Sequence, residues 1–159
     1  MMLRFERYQP ELADALRAVF HSAIHLSAAP WYSAAERAAW SPEHYDRDAW
    51  ADNLARIIPW LVWDGDELVG YGDVQLDGYI DHFYVSGTAA RRGIGQTLFN
   101  HLLEQAQANG AARLTSDVSL SAEGFFAKQG FTVQWRRVVR RGGVALRNAR
   151  MSRQLDPYR

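Results

Sequence analysis

The residues best able to do chemistry together stand at 91–96: Arg91, Arg92, Gly93, Ile94, Gly95 and Gln96, reading RRGIGQ. They run straight into TLFNHLLEQAQANG, an apolar, helix-periodic stretch that closes on Gly110. The first amides of a helix have no carbonyl partners and carry a partial positive charge, so they attract anions. Glycines at that point let a ligand reach the backbone, and two arginines add whole charges. The chemistry predicted is the cradling of a pyrophosphate. A Walker loop is excluded, because Gln96 stands where that motif needs Lys after its second glycine. A dinucleotide fingerprint fails too, because its third glycine is Leu98 here. A plain glycine turn with solvated arginines is the other reading, and the residues alone leave both open.

The elements that must position this turn are legible in outline. Residues 2–8 alternate (Leu3 and Phe5 against Arg4 and Glu6) and predict a strand. Pro10 opens a helix with Leu12, Leu16, Val19 and Phe20 on one face. Ser33 and Glu36 form a capping signal for a short helix to Trp40, and a further helix is expected from Tyr45 to Ile57, before Pro59. WLVW, ELVGYGDVQL and YIDHFYV, joined at Asp64-Gly65-Asp66 and Asp77-Gly78, predict an antiparallel meander. After the long helix come a strand at ARLTSDVS and a helix from Ser121 to Gln129, stopped by Gly130. Two last strands flank Arg141-Gly142-Gly143. The order β-α-α-α-β-β-β-α-β-α-β-β describes one mixed α/β (α+β) domain over 1–159, with a largely antiparallel central sheet flanked by helices.

Composition narrows the function classes. The chain has 159 residues, 48% hydrophobic and 23% charged, and no cysteine, which excludes disulfides, thiolate catalysis and zinc-thiolate sites. The N-terminus MMLRFERYQPEL carries charge within its first apolar run, and no apolar stretch is long enough to cross a membrane. A cytoplasmic protein with no membrane partner is expected. Net charge is zero but uneven: residues 1–111 hold 8 arginines against 15 acids, and residues 112–159 hold 10 basic residues against 3 acids. The basic tail alternates with apolar residues at period two, so it reads as a half-buried strand pair with a cationic face rather than a nucleic-acid site. That face could also form the edge of a homodimer. The five histidines show no metal-ligand spacing, and no metal is expected.

With these residues in view, FYVSGTAARRGIGQTLFNHLLEQAQANG and the run from Ala122 to Phe131, AEGFFAKQGF, resemble the acetyl-CoA-binding segment of the GNAT superfamily of N-acetyltransferases. IHLSAAPWYSAAERAAWSP resembles the acceptor-side region of the bacterial YafP-like branch. The resemblance implies the GNAT fold and acetyl-CoA as cosubstrate. It implies that backbone groups of Phe83 and Val85 pair with the pantetheine arm, and that amides from Arg91, Arg92, Gly93, Ile94, Gly95 and Gln96 cradle the diphosphate. It places Ser119 near the pantetheine, and Ala122, Phe125 and Phe126 around the thioester end. Two departures stand out: Ala90 begins the loop where the family has Gln or Arg, and Phe126 replaces a Tyr that protonates the departing thiolate.

Acetyl transfer to an amine needs a base, because alkylamines are protonated at neutral pH, and donors for the oxyanion that forms on the thioester. A backbone N–H of the DHFYV strand is the expected oxyanion donor. Asp81, acting through water, is the expected base; a solvated strand acid is the alternative. Period two predicts Asp81, Phe83 and Val85 on one face and His82 and Tyr84 on the other. His25, Tyr32 and Trp40 fall in the acceptor-side segment implied by the resemblance and are candidates for binding the acceptor. The acceptor is expected to be a small-molecule or peptide amine, and the acids of residues 1–81 hint at a cationic one. A non-catalytic acyl-CoA-binding module of the same fold is the alternative function, suggested by Ala90 and Phe126.

Overall fold

The computed structural model describes residues 2–155; the ends of the expected 1–159 domain, Met1 and residues 156–159, lie outside the described residues. β1 (Leu3–Arg7) leads through a 3-10 turn at Pro10–Leu12 into α1 (Ala13–Ser22), whose buried face carries Leu16, Val19 and Phe20. One turn of π-helix, Ala23–Ser27, then shifts the phase of the chain. α2 (Ala34–Trp40) starts in a complete capping box: Ser33 Oγ accepts the Glu36 N–H at 3.1 Å, and the Glu36 carboxylate accepts the Ser33 N–H at 2.8 Å. α3 (Arg47–Ile57) begins two residues after the expected Tyr45, because the Asp46 carboxylate takes the Ala49 amide and so becomes the cap.

β2 (Trp60–Asp64) and β3 (Glu67–Gly72) form a hairpin against β1, all antiparallel. The third strand of the expected meander differs from its prediction. It breaks at Asp81-His82 into β4 (Tyr79–Ile80) and β5 (Phe83–Val85), which join different sheets. β5 pairs antiparallel with β3, whereas β4 pairs parallel with β6 (Arg113–Ser119). The break has a physical cause. Asp73 Oδ1 accepts the amides of both Asp81, at 3.2 Å, and His82, at 2.6 Å, so a side chain replaces a strand partner there. Gly78 allows β4 to lie against β6: its φ is +89°, and a Cβ would sit 1.9 Å from the Arg113 carbonyl oxygen.

α4 (Ile94–Ala108) follows the glycine turn, and α5 (Glu123–Lys128) is shorter at both ends than the expected Ser121–Gln129, those flanking residues serving as turn and cap. β7 (Thr132–Arg141) and β8 (Val144–Gln154) close the chain as a hairpin through Gly142 and Gly143, both at positive φ as a two-residue turn demands. The sheets run β1-β2-β3-β5 and β4-β6-β8-β7, and among the described residues β4 with β6 is the one parallel pairing. α4 packs Leu98 and Leu102 against β2 and β3, while Phe99 and Phe126 anchor the core under the second sheet. Among the described residues no helix is long and apolar enough to cross a membrane.

Candidate active site

Where β4 leaves β6, the two sheets part. Tyr79 and Ile80 pair with Thr115 and Ser116, but Phe83–Val85 turns to β3 while β6 runs on to Ser119. β5 is therefore the edge of its sheet on the side of the gap. The His82 carbonyl accepts the amide of Asp73, just past the end of β3, and the Ser86 amide donates to Val69 within it. Hydrogen-bonding direction alternates along a strand, so Phe83 and Val85 point their N–H and C=O groups into the gap. An extended amide-bearing chain would complete the edge there as a further strand.

The gap widens into a mostly apolar cavity of about 460 Å³ that reaches the N-terminus of α4. Phe83, Val85, Ser119, Ala122 and Phe125 line it, as do Arg91, Gly93, Ile94 and Gly95. Gly93 caps α4 at φ +76°, Arg91 stands in the same left-handed region at φ +65°, and no side chain caps the helix. The Thr97 amide bonds back to the Gly93 carbonyl at 3.2 Å, so the amides of Ile94, Gly95 and Gln96 precede the first intrahelical bond. Open donors on this end of a 15-residue helix suit an anion.

Two residues expected at this cradle point their side chains elsewhere. The left-handed turn at Arg91 sends the neighbouring arginines apart: Arg92 reaches Glu67 at 3.4 Å and Asp64 at 3.6 Å on the β2–β3 hairpin. Gln96 exchanges amide hydrogen bonds with Gln129, at 2.9 and 2.8 Å, and ties α4 to the end of α5. Only their backbone groups remain available to a ligand.

A second cavity, of about 390 Å³, adjoins the first and is lined by ionic and aromatic side chains. Trp40, Phe83, Tyr84, Ser119 and Ala122 line both, so the two meet at these residues. Asp81, the expected base, borders the second cavity, as do Tyr32 and Trp40 of the acceptor-side candidates and Phe126 of the thioester end. Asp81 is bound by Arg56 at 2.8 Å. The Tyr32 hydroxyl donates to the Arg147 carbonyl at 2.6 Å and accepts the Leu120 amide at 2.9 Å, so it also ties the turn before α2 to β8. Phe126 is 2% exposed among Phe83, Phe99 and Phe131. His25 borders neither cavity. Its Nε2 lies 2.8 Å from the Ser41 carbonyl and its ring packs on His21, which makes it a brace between the π turn and the end of α2. The π turn explains this placement, because it directs Ile24, Ser27 and Ala28, not His25, to the apolar cavity.

The electrostatics follow from burial and pairing. Burial pushes the Asp117 carboxyl up, but Arg150, Arg137 and the Tyr79 hydroxyl outweigh it and hold that carboxyl below its ordinary value. Burial, then Asp117, pushes Tyr79 up to about 12. His82 is lowered to about 4 by burial and stays neutral, its ring set between Asn53 and the Tyr71 hydroxyl. Burial raises Asp73 to about 6 against the pull of the His82 amide and Gln75.

Sequence reasoning passed over Tyr84 and Asp73. Tyr84 borders both cavities, and burial followed by the Asp81 charge pushes its hydroxyl well up, so it is held protonated. Its strand position gave no hint of this, since period two only placed it opposite Phe83. Asp73 falls inside the predicted strand ELVGYGDVQL, where nothing in the residue order marks it out.

The model of the acetyltransferase (GNAT) domain family matches residues 28–152. The uncharacterized N-acetyltransferase YafP of Escherichia coli K12 is 30% identical over 141 residues, 88% of this chain and 89% of that protein. The crystal structure of a GCN5-related N-acetyltransferase from Rhodopseudomonas palustris superposes with a TM-score of 0.92 at 30% identity, covering 98% of this chain and 97% of that one. A PaiA N-acetyltransferase from Thermoplasma acidophilum, solved with coenzyme A, shares the fold at a TM-score of 0.76 and 17% identity, over 98% of this chain and 100% of its own. The chain thus belongs to the GNAT family of N-acetyltransferases, acyltransferase enzymes, as a YafP-like member.

Proposed function

We propose that the protein, as one domain, transfers the acetyl group of acetyl-CoA directly to the primary amine of an acceptor held in the ionic cavity. The observation that carries this reading is the meeting of two cavities of opposite character at Phe83, Tyr84 and Ser119. The pantetheine arm lies along the free edge of Phe83 and Val85, and the diphosphate sits on the amides of Ile94, Gly95 and Gln96 beside Arg91. The thioester then ends between Ser119, Ala122 and Tyr84.

The chain's own residues do the rest. Asp81, through water, accepts a proton from the acceptor ammonium, and its pairing with Arg56 fixes the carboxylate on the cavity wall. The C–N bond forms and an edge amide of β5 stabilises the oxyanion; on collapse the C–S bond breaks and the second amine proton passes to water, from which the Tyr84 hydroxyl is restored after its own transfer. Tyr84, held neutral by burial, gives the departing sulfur the proton that Phe126 has no hydroxyl to supply. No covalent enzyme intermediate is needed, which suits a chain without cysteine.

Calorimetric titration with acetyl-CoA tests the reading against a Gly95→Glu variant. The nearest atoms to a Cβ there are in the Phe125 ring, at 3.5 and 3.8 Å, and Val85, at 3.8 Å, all ordinary contacts, and an acid in the first turn favours the helix, so the variant is expected to fold, which circular dichroism checks. Its carboxylate occupies the anion position. Binding by the wild type and none by the folded variant is expected; equal binding by both overturns the placement.

A further inference from the structure

The ionic cavity holds more positive than negative charge, and its negative charge is already engaged. Asp81 pairs with Arg56, and Asp117 is shared between Arg150 at 2.6 Å and Arg137 at 3.2 Å. Three guanidinium groups in the lining, Arg17, Arg141 and the exposed Arg147, have no carboxylate partner among the described residues. The cationic acceptor suggested by the acids of residues 1–81 therefore meets the wrong charge. Most of those acids lie outside the cavity, and one that lines it is neutralised.

Arg17 is the telling case. It is 8% exposed, and its guanidinium donates to the Pro42 carbonyl at 2.8 Å with no other protein acceptor among the described residues. It lies against Tyr45 at 4.1 Å, Phe20 at 5.1 Å and Trp50 at 5.2 Å, so its plane is fixed. A buried cation without a counter-ion is costly unless a ligand brings one. The Phe20 ring that it touches is 4.9 Å from the ring of Tyr84, where the cavities meet. Arg141, on β7, lies two and four residues beyond Val139 and Arg137 on the same strand face, and all three line the cavity. Among the described residues its guanidinium bonds only the adjacent Arg140 carbonyl, at 3.2 Å.

An arginine fork fits the paired oxygens of an acid group, and the volume suits a small molecule. Aromatic walls at Phe20, Trp40 and Trp50 suit an apolar side chain. We propose that the acceptor is an α-amino acid or a close analogue, its acid group held by Arg17 and Arg141 and its amine directed to the thioester beside Tyr84. The inference rests on the acetyl-CoA reading above. The products are an N-acetylated amino acid and free coenzyme A.

Release of thiol from acetyl-CoA is measured with matched acceptors: phenylalanine, leucine and tryptophan, their decarboxylated amines, the aminophosphonate analogue of leucine, and spermidine. The acid-bearing acceptors are expected to exceed the decarboxylated ones in kcat/KM by about tenfold to a hundredfold, the worth of a charge-assisted arginine bond. Comparing leucine with its phosphonate separates a carboxylate site from a phosphate-type one. Arg17→Met is expected to abolish the preference and Arg141→Gln to reduce it, with acetyl-CoA affinity unchanged by calorimetry. Circular dichroism reports folding. If Arg17→Met does not fold, the exposed Arg141→Gln and the wild-type pairs decide. Equal or better use of the decarboxylated amines or spermidine overturns the inference, as does a preference untouched in both folded variants. A protein that binds acetyl-CoA but acetylates no acid-bearing acceptor also overturns it and leaves the acetyl-CoA reading standing. Failure to bind acetyl-CoA removes that reading itself.

Discussion

Replacing Asp73 with alanine removes the carboxylate at the point where the two sheets part, and its effect depends on pH in a direction the structure dictates. Asp73 is 1% exposed, accepts the amides of Asp81 and His82, and receives a hydrogen bond from Gln75 at 2.7 Å. Deletion strands two backbone donors at roughly 1–3 kcal/mol each. Against this stands the cost of the charge. The carboxyl rises from 3.8 in the unfolded chain to about 6 in the fold. The folded state therefore keeps a proton that the unfolded state has lost, and this group's contribution to stability is present below 3.8 and is lost as pH rises through 6. The loss comes to roughly 3 kcal/mol in full, of which about 2 kcal/mol has returned at pH 4.5. Alanine carries no such charge. Asp73→Ala is thus expected to change stability at pH 8 by between about 1 kcal/mol of gain and about 3 kcal/mol of loss, and to be about 2 kcal/mol more destabilising at pH 4.5. Urea unfolding of both proteins at the two pH values measures the difference, and the titrations of the other acids cancel in it. A penalty equal at both pH values, or larger at pH 8, refutes the idea that Asp73 ionises at a cost.

Tyr84→Phe keeps the packing and removes the hydroxyl; kcat is expected to fall about a hundredfold, as for the loss of a general acid, with acetyl-CoA affinity unchanged. Stopped-flow and steady-state rates check this, and a kcat within twofold of wild type denies Tyr84 the role. Gly78→Ala places a Cβ against the Arg113 carbonyl in a left-handed backbone, and a loss of roughly 3 kcal/mol or more is expected in urea unfolding. Gly110→Ala, at φ +73° with nothing within 4 Å, is the comparison and costs only about 1 kcal/mol; similar losses in both would show that Gly78 matters for its φ and not for the approach of β4 to β6.

What the sequence determined by itself is local. The capping box at Ser33 and Glu36, the hairpin turn at Gly142-Gly143, the buried face of α1 and the open amides at the start of α4 arise from residues within a few positions of one another. Backbone geometry and helix periodicity act at that range, so the glycine turn and the free amides that follow it are legible in the residue order alone. What only the tertiary structure decided is how distant side chains pair. The expected meander broke at Asp81-His82 because Asp73 reaches across to two amides. Arg92 turned to the β2–β3 hairpin, His25 to Ser41, and Asp81 to Arg56. The charge of the ionic cavity was likewise hidden, because Arg17 on α1 and Arg141 on β7 share it only once both sheets are assembled. Charge counted along the chain says which ions exist. Which of them remain without a partner depends on burial and distance, and the fold sets both.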